Sequence, residues 1–550
     1  MIDPHKAQQA YDYPLLIKHL LHTPLAVAPE QEIVYADKRR YTYQEFNSRL
    51  ARLAEGLQSL GVKSGNTVAV MDWDSHRYLE CFFAVPMMGA VLHTVNVRLS
   101  PEQILYTINH AQDDFILVHT DFIPLIEQIQ ERFERPIKLI LLQDDANESQ
   151  TGVETMVEYE DLLHRQSGEF KFPDFDEQTR ATTFYTTGTT GDPKGVYYSH
   201  RQLVLHSLAV TAALGAATGQ GRFHRNDVYM PITPMFHVHA WGIPYVATMM
   251  GVKQVYPGRY APDSLLRLIQ KEKVTFSHCV PTILHMLLSS PVVDEVDLCN
   301  WSVIIGGAAL PRGLAKAVLD RGVDIYGGYG MSETCPVLTL AQLEPHMLDA
   351  SVDDQLDVRC KTGRPIPMVD IRVVDEAMND VAHDGVSAGE VVVRSPWLTQ
   401  GYFKNPQGSE ELWHGGYLHT GDIGNINDKG YLQITDRIKD VIKSGGEWIS
   451  SLTLEDIVSR HPGVSEVAAI GIPDERWGER PMVLIVQNTD ADVPASAENI
   501  CSHVSKYVES GDISKWAVPE RVEFVDEIPK TSVGKLDKKL IRRQYAESKL

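Results

Sequence analysis

Thr186-Thr187-Gly188-Thr189-Thr190-Gly191-Asp192-Pro193-Lys194-Gly195 puts four threonine hydroxyls, three glycines and a lysine into ten residues. Glycine lets the backbone approach a polyanion closely and adopt positive φ without steric cost. Exposed N–H groups and hydroxyls can then donate to phosphate oxygens, and Lys194 adds a point charge. The stretch is not a Walker loop: that pattern has Gly-Lys-Ser/Thr five residues after its first glycine, where Gly188 is followed by Pro193. A polar surface loop without ligand is the competing reading. Strand-like flanks at Phe184-Tyr185 and Val196-Tyr197-Tyr198 favour the phosphate loop.

Working outward, short strand-like runs alternate with amphipathic helical ones, the pattern of an α/β sheet packed by helices. Pro262 opens a helix with Leu265, Leu266, Leu268 and Ile269 on one face. Residues 273–278 read as a buried strand, Pro281 starts a second helix, and Ser302-Val303-Ile304-Ile305 is a strand broken at Gly306-Gly307. From Asp370 the chain turns β-rich, with strand-like runs at 371–374, 390–393 and 430–434. After Lys439 comes a compact α+β stretch. The expected boundary is the charged segment Asp436-Arg437-Ile438-Lys439-Asp440.

At 550 residues the chain is too long for one core, so two or more domains are expected. Against 51 basic residues stand 73 acidic ones, a net charge of −22. Such a surface repels nucleic acid and anionic membranes, so a bound polyphosphate needs a local cluster of donors. The six cysteines (Cys81, Cys279, Cys299, Cys335, Cys360, Cys501) have neither metal-ligand spacing nor a disulfide pattern, which suits a reducing compartment. Met1 to Lys6 leads into no apolar signal region, and the apolar run from Cys81 to Leu92 is too short to span a bilayer. A cytoplasmic location is therefore expected. The terminal Ser548-Lys549-Leu550 spells the peroxisomal address, an alternative only in a eukaryotic cell.

Four more segments carry chemistry. Residues 326–334, Tyr-Gly-Gly-Tyr-Gly-Met-Ser-Glu-Thr, combine a flat ring, close-approach backbone, a hydroxyl and a carboxylate. Tyr417-Leu418-His419-Thr420-Gly421-Asp422 sets a carboxylate after a tight turn. Residues 436–447 are charged and then glycine-rich, and Pro529-Lys530-Thr531-Ser532-Val533-Gly534-Lys535 ends a turn on a lysine. Singly, each has a bland reading; their joint order changes the odds.

In that order the segments resemble the AMP-forming adenylate synthetases: acyl- and aryl-CoA ligases, peptide-synthetase adenylation domains and beetle luciferases. The resemblance runs from about Tyr41 to Lys535. Residues 436–450 and Pro234-Met235-Phe236-His237-Val238-His239-Ala240-Trp241 look most like the bacterial medium- and long-chain fatty acyl-CoA synthetases. The resemblance implies a large N-terminal domain of α/β sheets with a β-rich subdomain (residues 1–436), a hinge (437–443) turning at Lys439, and a small mobile α+β C-terminal domain (444–550). It implies ATP, Mg²⁺ and CoA as cofactor and co-substrates, a carboxylic acid as substrate, and a homodimer.

The same resemblance assigns roles. Thr186, Thr187, Gly188, Thr189, Thr190, Gly191 and Lys194 would hold the β- and γ-phosphates, and Glu333 with Thr186 would coordinate Mg²⁺. Ser332, where the family usually has threonine, would touch the α-phosphate. Tyr329 would stack on adenine beside Gly306, Gly307 and Ala308, with Gly328, Gly330 and Ile434 around the nucleotide. Asp422 would accept from both ribose hydroxyls, joined by Arg437. Lys535 would approach the reacting carboxylate and α-phosphate. Lys443, Gly445, Gly446, Glu447 and Trp477 would border the CoA passage, although a core tryptophan fits Trp477 nearly as well. His237 would lie at the adenylate and acyl site. The acyl pocket would run past Val238, Trp241, Gly306, Gly328 and Pro336, with Trp241 as gate. On a helix, His237 and Trp241 at i and i+4 would share one face. His237 and His239 lack a third ligand of suitable spacing, so they read as pocket wall rather than metal site.

The expected activity is an ATP-dependent fatty acid–CoA ligase. Its rivals are a ligase for a short acid of the methylthiopropionate type, a luciferase-like oxidase of acyl-AMP, and a catalytically silent nucleotide binder. Glu333, Asp422, Arg437 and Lys535 together argue against the last.

Overall fold

The computed structural model describes residues 7–144, 152–186, 192–217, 219–444, 447–474, 476–488, 491, 493–510, 513–531 and 535–545, with backbone alone for 447 and 448. Thr187 to Gly191, Gly445, Gly446 and Ser548 to Leu550 lie outside the described residues.

A seven-stranded sheet carries the first motif. Its strands run in the order Val157–Glu158, Lys138–Leu142, Phe115–His119, Thr67–Met71, Val91–Thr94, Arg180–Thr186, Lys194–Ser199. All neighbours are parallel except the last pair, which is antiparallel. The two strands that flank the threonine-glycine segment pair antiparallel, with Thr186 opposite Lys194. Val68, Val70, Ile116, Leu117 and Ile140 are fully buried, as strands covered on both faces require.

A nine-stranded sheet lies beside it. Its parallel core is Lys253–Tyr256, Val228–Pro231, Phe276–Cys279, Ser302–Ile305 and Asp324–Gly330. Prolines at the first turn open the crossover helices Pro262–Glu272 and Pro281–Leu288, as their fixed φ predicts. Leu265, Leu266 and Ile269 are buried, matching the expected face. The strand expected from 273 begins at Phe276, because Lys273 caps the preceding helix in the left-handed region at φ 55°. Both the strand end at Ile305 and the break at Gly306 fall where expected.

The β-rich part is a five-stranded antiparallel sheet built from Asp370–Val374, Gly389–Arg394, Tyr417–Ile426, Trp413–His414 and Leu432–Arg437. A separate C-terminal sheet is organised by the long hairpin Val464–Asp474 and Gly478–Gln487, packed by the helices Ser451–Ser459, Ala497–Glu509 and Lys538–Tyr545. The strand ending at Arg437 belongs to one sheet and Ile442–Ser444 to the other, so the chain crosses over 438–441. No helix among the described residues is long and apolar enough to cross a membrane.

Candidate functional site

Where the strand Lys194–Ser199 begins, two motif residues are tied together by one tyrosine. The Lys194 ammonium lies 4.5 Å from the centre of the Tyr402 ring. The Tyr402 hydroxyl donates to Glu333 Oε1 at 2.7 Å. Beside them, Phe403 N donates to Gly195 O at 2.8 Å and the Tyr198 hydroxyl donates to Ser332 O at 2.6 Å. Glu333 is nearly buried and sits in a short helical turn, Ser332–Thr334. Tyr402 was missed by the sequence reading; its signal is an aromatic pair, Tyr402-Phe403, after Gly401, far in sequence from both partners.

The residues expected at the nucleoside come from three strands, Asp324–Gly330, Tyr417–Ile426 and Leu432–Arg437. Asp422 and Arg437 are direct neighbours in register, and Arg437 Nε donates to Asp422 Oδ1 at 3.1 Å. The Tyr329 hydroxyl donates to the other carboxylate oxygen at 2.6 Å. Burial and the neighbouring Asp422 charge push the Tyr329 phenol well above its ordinary value. Gly330 allows the hairpin beyond Tyr329 to close: a Cβ there would fall 1.8 Å from the Pro336 carbonyl oxygen. Ile434, three residues before Arg437 on the same strand, donates its N–H to Thr362 Oγ1 at 2.8 Å. Ala308 is exposed at the rim, while Gly306 is buried and Gly307 and Gly328 are half-buried.

Lys535 comes from the C-terminal part of the chain. Its turn is closed by Thr531 N donating to Lys535 O at 2.6 Å and by Lys535 N donating to Thr531 Oγ1 at 3.2 Å. The side chain reaches Gly307, and its charge is felt by His237. Burial first, and the Arg437 charge second, lower the Lys535 ammonium to about 8, while Asp422 and Glu333 oppose the shift. Lysine, arginine and two carboxylates therefore converge on one polar centre. His237 is held neutral at the same place, lowered to about 3 by burial and then by the charges of Lys535 and Arg98.

The His237–Trp241 segment corrects one expectation. Val238, His239, Ala240 and Trp241 have φ of 48°, 55°, 48° and 59°, followed by Gly242 at 71°. This is a left-handed turn, and His237 precedes it in extended conformation at φ −89°, ψ 102°. The two residues therefore do not share a helix face. Left-handed backbone costs about 1–2 kcal/mol per L-residue, so tertiary packing must hold it. His239 supplies that packing: its buried ring stands edge-on to Phe82 and Phe184, at 5.7 and 5.3 Å. Among the described residues no group of three or more His, Cys, Asp or Glu could hold a metal.

Trp241 lies across the sheet floor. A Cβ on Gly306 would fall 2.9 Å from Trp241 Cη2, and the indole meets the ring of His278 at 4.9 Å, tilted 31°. His278 was not singled out in the sequence. Val238 and Pro336 are buried close by in the chain's two flanking segments.

The residues expected for CoA sit on the C-terminal sheet. Lys443 donates its backbone N–H to Glu479 Oε2 at 2.9 Å, and Ser444 pairs with Glu447 and with Gly478. Trp477 packs against Trp516 at 4.5 Å under the Arg476 guanidinium, also at 4.5 Å. Lys439 is exposed on the connecting segment, whose neighbour Asp440 forms an ion pair with Arg542.

Comparison with known proteins adds a frame. Residues 21–403 match the AMP-binding enzyme family and residues 453–535 the AMP-binding enzyme C-terminal domain. A long-chain-fatty-acid–CoA ligase of Thermus thermophilus is 40% identical, over 92% of this chain and 90% of its own. A 3-methylmercaptopropionyl-CoA ligase of Ruegeria lacuscaerulensis is 36% identical, over 98% and 99%. Among solved structures, the anthranilate CoA ligase AuaEII in complex with anthranoyl-AMP superposes with a TM-score of 0.84 at 24% identity, covering 98% of this chain and 99% of that one.

Proposed function

The chain belongs to the AMP-binding enzyme family and is an AMP-forming acid–CoA ligase, and from that premise we propose that its acid is a fatty acid. The carboxylate attacks the α-phosphorus of ATP, pyrophosphate leaves, and the CoA thiol then displaces AMP from the acyl-AMP. The observation that supports the assignment of the centre is that Arg437 pairs with buried Asp422 while Lys535 lies against Gly307 and feels the charges of Arg437, Asp422 and Glu333. Carboxylate and triphosphate repel, so catalysis must neutralise charge and align the attack.

In this reading Thr186 to Gly191 and Lys194 hold the β- and γ-phosphates. Asp422 exchanges its Tyr329 contact for the ribose hydroxyls, which two carboxylate oxygens can accept together. Lys535 donates between the carboxylate and the α-phosphate, and neutral His237 bounds the same space. Glu333, an almost buried carboxylate bonded by the Tyr402 hydroxyl, offers with Thr186 the hard oxygens that Mg²⁺ takes. That ion would supply charge neutralisation of the phosphates. Gly445, Gly446, Glu447, Lys443 and Trp477 border the CoA passage once the C-terminal domain turns about Lys439.

Apolar walls and the 40% identity to a long-chain ligase support the fatty-acid reading. Each buried methylene is worth about 0.8 kcal/mol, roughly fourfold in affinity, so an apolar channel can select a chain without polar contacts. A second reading, a short thioether acid, is favoured by one observation: the Trp241 indole lies so close to Gly306 that a Cβ there would fall 2.9 Å from it. Pyrophosphate release measured from propanoate to stearate, with 3-methylmercaptopropionate alongside, decides between them. A preference for the thioether acid or the shortest acids overturns the fatty-acid reading.

A further inference from the structure

Trp241 is fixed from two directions. Its backbone closes the left-handed turn, and its indole meets the imidazole of His278 at 4.9 Å. His278 lies in the strand Phe276–Cys279, level with Ile304 on the neighbouring strand that leads to Gly306. Its ring is unusually constrained for a residue that touches no charge. The Tyr229 hydroxyl sits 2.8 Å from Nε2, and Thr233 Oγ1 sits 3.1 Å from Nδ1. The Thr233 hydroxyl already donates to the His278 carbonyl at 3.3 Å, so it accepts from Nδ1–H. That leaves Nε2 to accept from Tyr229, and both ring nitrogens are satisfied. The three side chains are buried, so turning the ring would strand polar groups without water to replace the lost partners. Burial also keeps the imidazole neutral, lowered to about 3, so it presents the indole with an uncharged plate.

The indole therefore bridges two strands of the floor, resting on His278 at one side and Gly306 at the other. An acyl tail that ends before the indole leaves this contact intact. A longer tail following the floor past Gly306 must break it.

We propose that His278 is a specificity-determining residue: clamped by Tyr229 and Thr233, it positions Trp241 over Gly306 and so sets the acyl length at which the indole must be displaced. The inference rests on the reading that Trp241 borders the acyl site. His278 acts through the tryptophan and is a positioning residue.

The test compares kcat/KM for hexadecanoate and butanoate in the wild type, His278→Ala and Tyr229→Phe, with the KM for ATP and acrylamide quenching of the tryptophan emission. His278→Ala should raise the ratio of long to short acid by about tenfold, the scale of one methylene's discrimination in an apolar pocket. Quenching should rise, and the KM for ATP should hold within twofold. Tyr229→Phe keeps the ring but frees it, so it should move the ratio the same way by less, and it decides the matter if His278→Ala does not fold. A ratio and quenching equal to wild type in a folded variant overturn the proposal. The wild-type profile alone judges the fatty-acid reading, whereas the change between variant and wild type judges His278.

Discussion

Lys535 lies against Gly307: a Cβ built on that glycine would stand 3.2 Å from Lys535 Cε and 3.8 Å from its Nζ. Gly307 follows the strand Ser302–Ile305 of the nine-stranded sheet, whereas Lys535 belongs to the far C-terminal part of the chain. Their contact brings a cation to the C-terminal ends of parallel strands, where open α/β sheets bind ligands. The missing side chain at Gly307 leaves the lysine stem its path.

Proton loss from Lys535 should therefore be visible in the rate. Burial first, and Arg437 second, lower its ammonium to about 8 from an ordinary 10.5. The protonated form is the one that can bridge two anions, so kcat/KM for acid-dependent pyrophosphate release should fall as pH rises through about 8. Bound ATP adds negative charge and favours the ammonium, so the corresponding limb in kcat should lie at higher pH. Stability runs the other way. Between 8 and 10.5 the unfolded chain binds more protons than the folded one, so stability gains with pH across that window and the burial penalty is full below it. A kcat/KM that stays flat well beyond pH 8, or a limb that survives in Lys535→Met, would refute the assignment.

Asp422 and Glu333 should fail differently when altered. Asp422 holds Tyr329 and Arg437 together and, as proposed, binds ribose. Asp422→Ala should weaken AMP as well as ATP, by about 10- to 100-fold, the loss of a charge-assisted hydrogen bond of roughly 1.5–3 kcal/mol. Glu333→Gln should leave AMP affinity unchanged and shift the Mg²⁺ dependence of ATP use. Calorimetric titration of AMP into both variants checks this, and an Asp422→Ala protein with undiminished AMP affinity contradicts the ribose role.

Trp241→Ala should change which acids are used while leaving the KM for ATP close to wild type. It removes the indole from Gly306 and opens space beyond the reacting carboxylate. Long acids should gain over short ones by about tenfold or more in kcat/KM. An unaltered acid profile in a folded variant would mean that the indole is core packing.

Most of the frame was legible because its signals are local. Proline at a first helical turn and glycine at a strand break act through their own dihedral limits, and Pro262, Pro281 and Gly306 do what those limits dictate. The threonine-glycine segment, the Tyr329 and Asp422 segments and the Lys535 turn stand out as residue types in a fixed order. The left-handed turn does not. Valine and tryptophan disfavour that region, and packing against other elements holds it, His239 on Phe82 and Phe184 and Trp241 on His278. Tyr402 and His278 escaped for the same reason: each is one aromatic among many until Glu333, Lys194 or Trp241 arrives beside it.

The connecting segment yields the sharpest test. Ile438 donates its N–H to Gly421 O at 3.0 Å, which pins it to the strand Tyr417–Ile426, while Asp440 pairs with Arg542 of the last helix. Lys439 lies between these attachments and is exposed, so it can absorb a change in φ and ψ at little packing cost. A swing there must release Asp436, whose carboxylate accepts from Ser451 Oγ at 3.0 Å and from Ser451 N. If the enzyme alternates between two domain poses, each half-reaction should depend on a different element. Lys535→Ala should slow acyl-AMP formation by about 10²–10³, the usual loss for one transition-state donor, and spare the conversion of supplied acyl-AMP and CoA to the thioester. Lys439→Pro fixes φ at the turning point, so it should slow thioester formation and leave adenylation largely intact. Single-turnover assays of each half-reaction, with circular dichroism to verify folding, separate the two. Equal loss of both half-reactions in both variants would sink the alternation of poses, because neither residue would then serve one step more than the other.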